Sequence, residues 1–145
     1  MKNIENLILK EKIDSMNESS KKILDSLFSD AIIEINYRNR LDGKVTERIV
    51  LVFISLLEDE NYLEFDKLSS YEKSIICKII SKGIASIFVD DEYLDKSNQN
   101  EKLFIIEDLI NLLCYLTNQN KSTIKRLVKR DIKVYSYLGW RWDFL

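Results

Sequence analysis

The chain contains no proline, and its three glycines stand alone at positions 43, 83 and 139. Proline removes a backbone donor and breaks helices, so a chain without one leaves long helices uninterrupted. Isolated glycines cannot form the clustered turns from which phosphate-binding loops are made. The expected fold is mostly α: a compact single-domain bundle of about five to six helices over residues 1–145, large enough to bury a core without disulfides.

Apolar spacing places the helices. A first covers roughly residues 2–16, with Ile4, Leu7, Ile8 and Ile13 apolar, and the cap-prone "NESS" follows it. Leu24, Leu27, Phe28, Ala31 and Ile35 share one helical stripe over about 20–37, and Val45, Ile49, Val52, Phe53 and Leu56 form another. Ser69 and Glu72 make a capping-box pair ahead of Ile75, Ile76, Ile79, Ile80, Gly83, Ile84, Ile87 and Phe88. Gly83 lies on that stripe, where a glycine costs about 1 kcal/mol relative to alanine, so close approach of another helix is expected there. After "KSNQNEK", with an Asn as cap, the segment 101–117 is apolar around most of its circumference and reads as the central helix. A basic helix follows over 121–133, with Ile124, Leu127, Val128 and Ile132 facing inward.

Two segments carry competing signals. Asp42-Gly43 sits between alternating, β-branched flanks, the pattern of a short β-hairpin, although the helical stripes on either side are longer and favour helix, turn, helix. The ending "YSYLGWRWDFL" alternates about Gly139 and reads as an irregular or strand-like tail. It holds both tryptophans. The preferred reading packs this tail back over the core with Arg141 facing out, and the alternative is docking of a partner or stacking of bases.

Composition removes several chemistries. Histidine is absent, so neither Cys/His zinc sites nor Ser-His or Cys-His nucleophile systems can be assembled from this chain alone. Cys77 and Cys114 fall in apolar runs, where a thiol serves as a small hydrophobe. No window is long and apolar enough for a membrane span, and the start carries Glu5, Glu11 and Asp14 among its apolar positions, so a cytoplasmic protein without a signal peptide is expected. Heavy use of Ile, Lys and Asn, with little Ala or Gly, suggests an AT-rich microbe, phage or mobile element as origin.

The net charge of −2 hides a gradient. Residues 54–118 carry thirteen acidic and six basic groups, whereas 119–145 carry two acidic and seven basic. Two candidate binding faces result. An acidic one comprises Glu58, Asp59, Glu60, Asp90, Asp91, Glu92 and Asp95; a basic and aromatic one comprises Lys125, Arg126, Lys129, Arg130, Trp140, Arg141 and Trp142. Glu60 and Glu64 lie one helical turn apart, as do Asp91 and Asp95, a spacing from which facing helices hold Mg²⁺. "EYLD", Glu92 to Asp95, resembles the Glu-x-x-Asp helix of all-α nucleotide pyrophosphohydrolases, while "EDENYLE" is out of register with their Glu-Glu-x-x-Glu helix. That resemblance implies a Mg²⁺-dependent nucleotide hydrolase using the carboxylates of 58–64 and 90–95.

Elimination favours a protein that works by its surface. The leading expectation is a non-enzymatic binding protein of inhibitor, immunity or adaptor type, needing no cofactor or metal. Its partner is another protein, for the acidic face a basic nucleic-acid-handling one, or a second copy of the chain. A nucleic-acid-binding regulator using helix 121–133 is the first alternative. The hydrolase is the second.

Overall fold

A computed structural model describes residues 9–38, 43–57, 67–90, 94 and 101–138. Among them the chain forms six helices and no strand. We number these α1 (residues 9–14), α2 (Glu18–Arg38), α3 (Gly43–Leu57), α4 (Ser70–Asp90), α5 (Lys102–Thr117) and α6 (Lys121–Leu138). The mostly α bundle anticipated from proline-free periodicity is what forms.

Local sequence explains the helix ends. Asn17 opens α2: its side-chain oxygen accepts the Ser19 amide at 2.8 Å. At α4 the Glu72 amide donates to Ser69 Oγ at 3.1 Å and the Ser69 amide donates to Glu72 Oε1 at 2.9 Å, closing the expected capping box. α5 departs from expectation. Glu101, not an asparagine, stands at its N-cap and makes no side-chain cap bond.

α4 is the centre of the bundle, packing against α2, α3, α5 and α6. This corrects the expectation that residues 101–117 would be central. The apolar girdle of α5 is only partly used: Ile105, Ile106, Leu109, Ile110, Leu112 and Leu113 are buried, but Leu103 and Phe104 are exposed. The isoleucine stripe of α4 is instead buried from Ile75 to Ile87, with Phe88 at its end exposed. Isoleucine is stiff at χ1 and loses little freedom on packing, so a run of six buried isoleucines makes a firm central rod.

α2 and α3 complete the core. Leu24, Leu27, Phe28 and Ala31 are fully buried, as are Ile49 and Phe53, and the Phe28 and Phe53 rings meet with centroids 4.5 Å apart. Each of the Leu, Ile and Phe side chains contributes about 1.5–3 kcal/mol relative to exposure. The side chains of Ile35, Val45 and Leu56 lie outside the described ones. Buried Ser20 of α2 donates to Asp108 of α5 at 2.7 Å, and Lys12 of α1 lies 5.1 Å from the centroid of the Tyr115 ring.

The hairpin alternative is overturned. The chain is helical up to Arg38 and again from Gly43, so the β-branched flanks of Asp42-Gly43 lie in α2 and α3. Packing of a one-sided stripe against α4 outweighs local strand propensity, which tertiary context commonly overrides. The strand-like reading of the tail fails likewise for its first residues, because α6 continues through Leu138. Residues 139–145 lie outside the described ones.

Candidate functional site

α5 and α6 are joined by three residues. Asn118 adopts the left-handed conformation, φ 55°, that ends many helices, and the Gln119 amide donates to the Cys114 carbonyl at 3.2 Å while the Asn118 amide reaches Tyr115. Asn120 then starts α6, its side-chain oxygen accepting the Thr123 amide at 2.9 Å and the Ser122 hydroxyl at 3.0 Å. The turn thus sets where α6 begins and which way it leaves α5.

Packing then fixes the rotation of α6 about its own axis. Ile124 and Val128 are buried and Ile132 is half-buried against the core. Asp131, the only acid in the helix, accepts the Ser81 hydroxyl and lies 3.4 Å from Lys82 Nζ, tying α6 to α4. Lys121 pairs with Glu107 of α5. With these contacts on the inner side, Lys125, Arg126, Lys129, Arg130 and Lys133 all point to solvent. They follow the spacing i, i+1, i+4, i+5, i+8, one continuous stripe. None of the five has an ion pair among the described residues.

Such a stripe costs the helix stability. Lys125 and Lys129, Arg126 and Arg130, and Lys129 and Lys133 are like-charged neighbours one turn apart, each pair destabilising by about 0.2–0.5 kcal/mol. The helix dipole does not compensate. Cations help only in the last turn of a helix, and α6 has none there because it runs on to Leu138.

A cleft of about 300 Å³ lies where α6 meets α4 and the end of α5. Leu113, Ile124, Val128 and Cys77 form its floor and Leu127 one wall. Leu127 was expected inside, but it lines this open cleft and is 41% exposed. Lys78, Lys82 and Arg130 stand around the cleft, with Asp131 held by Ser81 and Lys82. Burial pushes the Cys77 thiol up to about 11, so it is protonated and uncharged at neutral pH. Both cysteines are free.

Of the sequence-derived candidates, the structure brings Lys125, Arg126, Lys129 and Arg130 together on one surface and adds Lys133. Trp140, Arg141 and Trp142 lie outside the described residues, as do Glu58, Asp59, Glu60, Glu64, Asp91, Glu92 and Asp95. Asp90 ends α4, and its side chain is not among the described ones. Among the described residues no three acidic or thiol side chains converge as metal ligands would, and no helix is long and apolar enough to cross a membrane.

The fold and this surface define an all-α bundle with a basic helix face that has no ion pair among the described residues. No known family, curated protein or solved structure matches the chain.

Proposed function

We propose that this chain is a non-enzymatic binding protein that docks the outer face of α6 on an acidic surface of another protein. One observation carries the reading: five exposed cations on one stripe repel each other, lack ion-pair partners among the described residues and do nothing for the helix dipole. A cost of that kind is recovered when an acidic partner covers the face. The functional class is that of an inhibitor, immunity protein or adaptor, which acts by occupying a surface.

The test begins with capture of partners from the cell of origin by the wild-type chain, followed by purification of the captured protein. Lys125→Glu/Lys129→Glu and Arg126→Glu/Arg130→Glu variants, checked for intact helicity and melting, are then compared with the wild type against that pure partner. Loss of binding in both supports the reading. Unchanged binding by either folded variant overturns it.

A second reading rests on the α5–turn–α6 unit. Two helices joined by a three-residue turn, the second presenting cations outward, have the general form of a helix-turn-helix reader of nucleic acid. Retardation of duplex DNA at low salt, lost in the same variants, would favour it, with a steep salt dependence from counterion release.

A further inference from the structure

The cleft between α4 and α6 has a makeup that the docking of α6 does not use. Its floor is Cys77, Leu113, Ile124 and Val128, apolar and largely buried, and Leu127 gives it an aliphatic wall. At about 300 Å³ it matches the lower end of small-molecule pockets, roughly 300–1,000 Å³.

Charge at the cleft is of one dominant sign. Three cations, Lys78, Lys82 and Arg130, stand against one carboxylate, Asp131. That carboxylate is already engaged, since Ser81 donates to one oxygen and Lys82 lies 3.4 Å from the other. Lys78 and Arg130 are exposed and have no ion pair among the described residues. Cys77 adds no negative charge, because its thiol stays protonated at neutral pH.

We infer that this cleft is a binding site for a small amphipathic anion, an aliphatic monocarboxylate whose chain lies on the Cys77–Leu113–Val128 floor and whose carboxylate meets Lys78 and Arg130. A neutral chain would leave the two cations without a partner, and a small inorganic anion would leave the apolar floor wet. A chain with a carboxylate at one end satisfies both. The cleft lies beside the basic stripe and shares Arg130 with it, whereas Lys78 and the apolar floor belong to the cleft alone.

Octanoate is the probe, with hexanoate, octanol and acetate as comparisons, by titration calorimetry and by mapping amide resonances of the full chain. Octanoate is expected to bind saturably, shifting the amides of Cys77, Thr117 and Val128. Hexanoate should bind more weakly by about fourfold per methylene removed. Octanol should bind at least about tenfold more weakly, and acetate should give no shift at this cleft. Lys78→Glu/Arg130→Glu, both at exposed positions, should lower octanoate affinity at least about tenfold, and Cys77→Phe should fill the cleft and abolish binding. The wild-type shift map keeps the test decisive if Cys77→Phe fails to fold. Octanol binding as tightly as octanoate, shifts mapping elsewhere, unchanged affinity in the charge-reversed chain or no saturable binding would each overturn the assignment.

Discussion

Gly83 of α4 lies directly against the side chain of Leu27 of α2: a Cβ at position 83 would overlap Leu27, with Leu27 Cγ only 3.2 Å away. Leu27 is fully buried, so its side chain would have to shift within a packed core. Gly83→Ala should therefore destabilise by about 1 kcal/mol, since overpacking costs about 1–3 kcal/mol against the roughly 1 kcal/mol of helix propensity that alanine restores. Urea unfolding of Gly83→Ala, Leu27→Val and the double variant measures this. The double variant should be more stable than the sum of the singles implies, because the smaller side chain leaves space for the new methyl. Strict additivity would mean that the two helices do not meet there.

Arg48 of α3 lies 2.5 Å from Glu72, so the capping box of α4 is also a link between helices. The Ser69 amide, then its hydroxyl and the Arg48 guanidinium, hold the Glu72 carboxyl below its usual range against the opposing effect of desolvation. A lowered native pKa means that the stabilisation is fully present above the unfolded value, roughly 4.3, and fades as pH falls through the native one. Unfolding of wild type and Glu72→Gln across this range should show a wild-type advantage at neutral pH that vanishes in acid. A constant difference would show that the carboxylate charge contributes nothing.

The Cys77 thiol should be slow to react at neutral pH. With its pKa pushed up to about 11 by burial, its thiolate is scarce there. In a Cys114→Ser background, the rate of alkylation by iodoacetamide should rise with pH and level off near pH 11. An exposed thiol would level off near about 8.5. A plateau in that lower range would place Cys77 in water.

Relieving the repulsion on α6 should stabilise the fold. Lys129→Glu converts two like-charged pairs, with Lys125 and Lys133, into opposite-charged ones, a gain of about 1 kcal/mol at low salt. Thermal melts at low and high salt should show the gain shrinking as salt rises. No gain would mean that the stripe costs nothing, and would remove the physical motive for a partner.

Much of the bundle was legible because it depends on local periodicity and on side chains acting within one turn. The stripe through Leu24, Leu27, Phe28 and Ala31, the Ser69 and Glu72 cap and the close approach at Gly83 all follow from spacing. Which helix is central is not legible in the sequence, because hydrophobicity around α5 does not say which of its sides meets a neighbour; Leu103 and Phe104 are exposed although apolar. The hairpin signal at Asp42-Gly43 weighed a turn dipeptide against burial on α4, which only the assembled bundle decides. The cationic stripe of α6 was legible from i, i+4 spacing, but the cleft beside it was not. Its walls come from residues 77 to 131, and the one hint was the lone acid Asp131, whose partners Ser81 and Lys82 lie fifty residues away in sequence.

The basic face of α6 as the recognition surface is tested most directly by the association rate with the purified partner as a function of ionic strength, for wild type and for Lys125→Glu/Lys129→Glu. Steering by the stripe should make the wild-type rate fall by about tenfold or more between low and high salt, and the reversed chain should associate slowly at every salt concentration. Equal, salt-independent rates for the two chains would contradict it.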